Sequence, residues 1–418
     1  MKKGRKIFLL VLTFIVAMVL LACEGKSKAA AAGDEKVNLR LSFWFGAADM
    51  PAWQKGIDEY MALHPNVTII AESTPWGEYW TKLNSQIAAD AQADIIGMVS
   101  MYSNFFIRNG ALYDFSPYIK KENFNLADFW PGMMEAYTVN GGVYCFPYDL
   151  STNLLLCNLD IFEEMGVEYR PEGYSMEEFV QISKKLTNSS HYASYFYVDG
   201  WVMYDLLCAA GVNPLDSSGN IALNKSDAVN TIQWLADLAL VNGTQPRWDR
   251  GTAAESLFMS KRVAMYSVNP EWVMKIRTDM PDIKLDVMDY PFLGKNGKRV
   301  TEGGSFAISS KTKYPDIAWD FLKTYTSSEK LGEIVGATHR GIPGRVSSAP
   351  LMLTSKLAVP HSQLFFDIMK GSTWIDYPFR TESEVELANV LDQIYIGQVT
   401  AKQGMDNFMK AVAEIQAR

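Results

Sequence analysis

Along "VNLRLSFWF" the apolar side chains of Val37, Leu39, Leu41, Phe43 and Phe45 fall on alternate positions, the period of a strand with one face buried. Trp44 drops onto the opposite phase at the strand's end. The period then lengthens: Asp49 and Pro51 offer a cap and first turn for a helix running to about His64, where Pro65 stops it. "NVTII" and "ADIIGMV" read as two more buried strands, with a helix from about Glu78 to Asp90 between them. Strand, helix and strand in turn, with nearly continuous apolar strands, predict a parallel sheet covered on both faces.

The rhythm resumes beyond a boundary near Pro147. "SMEEFVQISKKL" opens with a capping box, Ser175 to Glu178, and sets Phe179, Ile182 and Leu186 on one helical face. "SDAVNTIQWLADLALVNG" is a further amphipathic helix that ends before Gly243. "KRVAMYSV", "LDVMDYP" and "SFAISS" supply strands. "PDIAWDFLKTY" is a helix with Pro315 at its start and Ala318, Phe321, Leu322 and Tyr325 on one face. From Ser383 onward the pattern is helical, with a second capping box at Thr400 and Gln403. No internal repeat is visible.

The first residues follow a different rule. Lys2, Lys3, Arg5 and Lys6 precede sixteen apolar or small residues, Ile7 to Ala22, fewer than the ~20 that a spanning helix needs. A basic head, an apolar centre and a small-residue exit describe a cleaved export signal over 1–22. "LLAC" resembles the bacterial lipobox, which implies that Cys23 carries a lipid. Residues 23–36 then form that anchor and a flexible tether with a reach of about 20 Å. Without the signal, 35 basic side chains face 47 acidic ones, a net charge of −12. Such a surface repels nucleic acid. A content of 48% hydrophobic and 21% charged residues supports a large core for the rest, enough for two or three domains.

Catalytic motifs are missing. The chain has no P-loop, HExxH, CxxC or GxSxG; "GGSFA" at Gly303 to Ala307 comes nearest, but its Ser305 opens an apolar strand. His64, His191, His339 and His361 are scattered, without metal-ligand spacing. "DSSGN", Asp216 to Asn220, reads as a turn in preference to a calcium loop. Cys145, Cys157 and Cys208 read as buried thiols, with a Cys145 to Cys157 bridge as the alternative. No catalytic residue, metal or cofactor is therefore assigned.

Aromatic residues instead gather where predicted elements end: Trp44, Trp76, Tyr79, Trp80, Tyr102, Tyr148, Trp201, Tyr204, Trp272, Trp374 and Tyr377. In open α/β sheets ligands bind outside the carboxyl ends of the strands, where Trp44, Tyr102 and Trp272 stand. Flat apolar faces beside Asp149, Asn269, Glu271 and Arg340 suit a sugar, whose C–H faces stack while its hydroxyls need paired donors and acceptors.

Several stretches in order now carry a resemblance over nearly the whole mature chain: "LRLSFWF" with "HPNVTI", "ADIIGM", "NGGVYCFPYD" with "LLLCNLDIFEEMGV", "FMSKRVAMYSVNPEW", "EGGSFAISSKTKYPDIAWDFLKTYTSSE" and "GIPGR". The sequence resembles the extracellular solute-binding proteins of bacterial ABC importers, in the group that includes maltose-binding and other sugar-binding proteins. It departs at Ala93, at Ser175-Met176 and at Cys157-Asn158-Leu159, mainly structural positions. The resemblance implies an α/β fold of two lobes, the type II periplasmic-binding-protein architecture, with the ligand cleft between them. Lobe one would take 37–147 plus 300–345, and lobe two 148–299 plus 346–418. It further implies a lipid-anchored, extracytoplasmic monomer that closes on a carbohydrate and delivers it to an ABC permease with its ATPase. The family's contact regions map onto Trp44, Tyr102, Tyr148, Asp149, Trp201, Glu271, Trp272, Gly303, Gly304 and Arg340, with Trp374 and Arg380 as weaker members. For the glycines a tight turn, and for Arg340 a lobe-bridging salt bridge, are the alternatives. A polyol, peptide or quaternary amine in place of the sugar, a surface glycoside hydrolase and an adhesive lipoprotein are the competing functions. The hydrolase would need two carboxylates roughly 5 to 9.5 Å apart.

Overall fold

The computed structural model describes residues 35–417 apart from 48, 197–199, 250–253, 296, 339 and 376–379, together with all but the side chains of 380 and 381. The export signal, Cys23, the tether up to residue 34, His339, Tyr377 and the Arg380 side chain lie outside the described residues.

The first body opens with β1 (Val37–Phe43), α1 (Met50–Leu63), β2 (Val67–Ser73), α2 (Trp76–Ala88), β3 (Ile95–Val99) and α3 (Ser100–Arg108), and reaches β4 (Cys145–Pro147). The chain crosses through β5 (Asp149–Leu150) into β6 (Leu154–Asn158). There follow α4 (Met176–Leu186), β7 (Tyr192–Tyr195), α5 (Gly200–Ala209), α6 (Ser226–Leu240), β8 (Val263–Val268), α7 (Pro270–Asp279) and β9 (Leu285–Met288). It returns as β10 (Gly304–Ile308), α8 (Pro315–Tyr325), a π-helical turn (Gly332–Gly336), β11 (Ile342–Pro343) and α9 (Ala349–Leu353), then goes over again through α10 (Gln363–Lys370) to α11 (Arg380–Tyr395) and α12 (Ala401–Gln416).

Among the described residues two larger sheets form, one ordered β2-β1-β3-β10-β4 and the other β9-β6-β8-β7, while β11 pairs with β5 at the crossing and Thr138–Val139 with Gly142–Val143 in a small hairpin. β1 is parallel to β2 and β3 as the strand–helix–strand order predicts, and its alternation buries Leu39, Leu41 and Phe43, each no more than 1% exposed. The sheet is mixed, not parallel throughout. β10 arrives from the other body and joins β3 and β4 antiparallel.

Both capping boxes form, Ser175 with Glu178 and Thr400 with Gln403. Asp49 does not cap α1; its carboxylate is turned to Arg340 instead, 3.4 Å from Nε. Cys145, Cys157 and Cys208 are buried free thiols. Asp216 closes the "DSSGN" turn by accepting from the N–H of Ser218 and Asn220.

The third crossing comes later than the boundary at 346. Ser347 and Ser348 are bonded to Asp128 and Ser328, and Leu351 covers Gly332 so closely that a Cβ there would meet it at 2.3 Å. Residues 346–353 thus stay with the first body. Leu387, Leu391 and Ile394 of α11 and Met405 and Phe408 of α12 join Leu206 and Ile232 in the core of the second.

One buried charge cluster fixes two crossings to the second body. Asp205 in α5 accepts from Arg299 Nε at 2.9 Å, from Arg299 Nη2 at 2.7 Å and from the Val300 N–H at 2.9 Å. Arg299 also donates to Asp289 at 2.9 Å and to the Asn153 carbonyl, and its guanidinium covers the Tyr290 ring at 4.2 Å.

Candidate functional site

Trp44, Tyr102, Trp272 and Trp374 are all half-buried against one apolar cluster. It contains Ile96 and Met98 of the first sheet and Leu156 and Tyr266 of the second. One apolar cluster that draws on both sheets therefore carries four of the candidate aromatics. Trp44 leaves β1 and lies across Gly97 of β3, where a Cβ would stand 3.1 Å from its ring. Around it are Trp76 at 5.2 Å, Tyr79 at 5.1 Å and Trp80 at 5.5 Å; Trp80 meets Tyr102 at 4.4 Å. Trp76 is 44% exposed. Trp76 and Trp80 were legible only as aromatics near an element end, not as partners of Trp44.

Trp272 is set by the "NPEW" turn. Asn269 caps α7 by accepting from the Trp272 N–H, and Pro270 takes the first helical position, where its missing N–H costs nothing. Both indole and neighbouring Glu271 line a cavity of about 510 Å³. Its other walls are Asp49, Ala52 and Trp53 at the start of α1, Ile334 and Thr338, and the α7 face of Met274, Lys275, Thr278 and Asp279. Lys275 places its ammonium 5.5 Å from the Trp272 ring centre and 3.3 Å from Asp279 Oδ2. Lys275 and Asp279 were not among the candidates, and Asp49 was expected only as a helix cap. The spacing of Glu271, Trp272, Lys275, Thr278 and Asp279 is one helical stripe, which is the signal that would have found most of this wall.

Asp149, Glu271 and Arg340 come together directly. Arg340 Nη1 is 3.1 Å from Glu271 Oε2 and 3.5 Å from Asp149 Oδ2. Asp149 is also held by the Gly304 N–H at 2.9 Å. Arg340 thus makes the bridge between bodies that stood as its alternative.

Tyr148, Gly303 and Gly304 stand behind this cluster and do not line the cavity. Tyr148 is 1% exposed and packs on Trp53 at 5.1 Å and Phe306 at 4.8 Å, so its ring is core. A Cβ on Gly304 would meet Tyr148 at 2.3 Å, and one on Gly303 the Asp149 carbonyl at 2.5 Å. The close approach that needs these glycines is to the crossing strand, and neither has the positive φ of a tight turn. Trp201, in the first turn of α5, is half-buried against the second body's core.

Burial pushes the Asp149 carboxyl up to about 6; Arg340 and the Gly304 N–H oppose the rise, and Glu271 and Asp49 add to it. The folded value exceeds the ordinary ~3.9, so the folded chain holds this proton more tightly. That contribution to stability is complete below pH ~4 and is lost as pH rises through about 6. Asp149→Asn removes it. Between pH 4 and pH 7 the variant should gain roughly 2 to 3 kcal/mol relative to wild type, at 1.36 kcal/mol per unit. Denaturant unfolding across that range checks this, and parallel profiles would refute it.

Residues 55–358 match the family described as bacterial extracellular solute-binding protein. Among curated relatives, the arabinooligosaccharide-binding protein of Bacillus subtilis is 23% identical over 362 residues, 80% of each chain. Among solved structures, an ABC substrate-binding protein of Listeria monocytogenes in complex with cycloalternan superposes with a TM-score of 0.81 at 17% identity, covering 92% of this chain and 100% of that one. Maltose-bound T. maritima MalE3 gives 0.76 at 16%, over 91% and 100%. Two sheets in separate bodies, three crossings and a cavity on the seam are thus the two-lobed fold of these proteins, and the chain belongs to the bacterial extracellular solute-binding proteins.

Proposed function

We propose that the protein is the carbohydrate-binding component of an ABC importer, closing its lobes on a sugar or oligosaccharide and presenting it to a membrane permease. The observation that carries this reading is the cavity at Trp272. Its volume of about 510 Å³ falls within the ~300 to 1,000 Å³ of ligand sites. Its wall carries one indole together with carboxylates from both lobes, Asp49 and Glu271. An apolar C–H face can stack there while hydroxyls donate to the carboxylates. The sugars named for the relatives, arabinooligosaccharide, cycloalternan and maltose, support the class. Trp44, Tyr102 and Trp374, packed against the same apolar cluster as Trp272, are candidates for further units of a longer ligand, and Trp201 is a more distant one. In this reading lobe one comprises 37–150, whose last strand is held by β11 and the Gly304 N–H, with 300–353, lobe two comprises 151–299 with the chain beyond 353, Cys23 carries the lipid, and the protein works as a monomer.

A cationic solute is the second reading, favoured by three carboxylates, Asp49, Glu271 and Asp279, against one ammonium in the wall.

The test is native mass spectrometry of the freshly purified protein, followed by thermal unfolding with a panel of arabino-, malto- and cyclic oligosaccharides. A true ligand is recovered unchanged and stabilises by about 2.7 kcal/mol at a hundred times its dissociation constant. Turnover, or no response to any saccharide, would overturn the reading. Fractionating cells that express Cys23→Ser reads the anchor, since the variant should leave the membrane pellet.

A further inference from the structure

Arg340 stands where three separate parts of the chain meet. Asp49 precedes α1, Asp149 lies on the crossing strand β5, and Glu271 is in the first turn of α7. The first two belong with Arg340: the strand that follows it, β11, pairs with β5, and Asp149 is bonded to the start of β10. Glu271 alone belongs to the other lobe. A hinge opening along the cavity would therefore break the Arg340–Glu271 contact and leave the other two.

The charges do not balance. Three carboxylates share one guanidinium, whose side chain is 14% exposed. Its buried Nε has no hydrogen-bond acceptor, although Asp49 Oδ1 is 3.4 Å away. Closure adds the third carboxylate at the shortest of the three distances, 3.1 Å, so the Arg340–Glu271 attraction favours the closed form while the two carboxylates already on the cation weaken it. Glu271 uses Oε2 on Arg340, while its side chain remains 45% exposed on the cavity wall. A hydroxyl donating to that carboxylate from the cavity would offset that weakening and hold Glu271 against Arg340.

We propose that Arg340 is a positioning residue: it holds one cavity carboxylate from each lobe, Asp49 and Glu271, and so couples occupation of the cavity to lobe closure. Linkage makes the coupling reciprocal: whatever the latch adds to closure it adds to affinity. The coupling rests on the cavity being the solute site; the latch itself does not, and it can be read in the empty protein.

The experiment is single-molecule fluorescence transfer on the unliganded protein, with dyes at Leu63→Cys and Val241→Cys. These positions are 77% and 74% exposed, one in each lobe, and the described native cysteines are buried. Glu271→Gln and Arg340→Gln should each shorten closed-state dwells about fivefold, the upper range for a half-exposed ion pair. Arg340→Lys, which keeps the charge and loses the planar fork, should fall between. The double variant should be no worse than either single one, because both remove the same contact. Unchanged dwells, or additive losses in the double variant, would overturn the proposal. Should Arg340→Gln fail to fold, Glu271→Gln decides alone, since its side chain is half-exposed. With no sugar in the measurement, failure here leaves the sugar reading standing, and a failed sugar screen leaves the latch standing.

Discussion

Replacing Asp205 by alanine should cost about 3 to 5 kcal/mol of stability, the usual result of removing one partner from a buried ion pair. Arg299 would keep Asp289 and the Asn153 carbonyl, but lose both of its bonds to a carboxylate that is 0% exposed. The Val300 N–H loses its acceptor as well, and an unsatisfied buried donor costs ~1 to 3 kcal/mol by itself. The position makes the effect more than local. Asp205 sits in α5, and through Arg299 it fixes residues 153 and 299–300, the beginnings and ends of two interlobe crossings. Asp205→Asn preserves the shape and an acceptor, so it should cost less than half as much. Asp205→Leu with Arg299→Met removes both charges and should recover most of the loss. Denaturant titration followed by tryptophan fluorescence distinguishes these cases; a loss below ~1 kcal/mol in Asp205→Ala would make the cluster no more than a surface pair.

Nothing in "KNGKRVTEGG" announces this clamp, because its partner lies 94 residues away on an otherwise apolar helix. Local order was legible: the alternation of β1, the buried run of β3 and both capping boxes depend on neighbours within one or two turns. Contacts between distant carboxylates were not. Asp49 has the residue type and position of a helix cap, and only the arrival of Arg340, 291 residues later, draws its carboxylate away. Tyr148 and Gly304 lie in the core and off the cavity wall for a related reason. A glycine beside an aromatic at a crossing reads the same whether the space is filled by a ligand or, as here, by that aromatic's own ring. Trp272 was legible because "NPEW" after a buried strand fixes the strand end, the cap and the first helical turn together.

Trp272→Ala is expected to weaken sugar binding about ten- to a hundredfold while leaving the fold intact. The indole is half-buried in the empty protein, packed on the seam and lining the cavity. A sugar face stacked on it would bury a large apolar surface worth roughly 1 to 3 kcal/mol, and each 1.4 kcal/mol is about a factor of ten in affinity. Asp49 and Glu271 remain to accept hydroxyl donors, so the loss should be graded and not absolute. In the unliganded protein the substitution removes the seat of Lys275 over the ring, a contact worth ~0.5 to 1 kcal/mol at an exposed site, and the melting temperature should fall by a few degrees at most. A core tryptophan would instead cost ~3 to 5 kcal/mol. Lys275 also sharpens the choice between ligand classes. Its ammonium already occupies the neighbourhood of the ring, held by Asp279, so a cationic solute must displace a like charge while a neutral sugar need only share the face. Wild-type affinity for a neutral sugar should be nearly flat as salt rises, because only charged attractions are screened. Titration calorimetry at low and high salt, beside thermal unfolding of the empty variant, reads all three quantities. A steep salt dependence would assign the cavity to a cation, and an unstable Trp272→Ala would return the indole to the core.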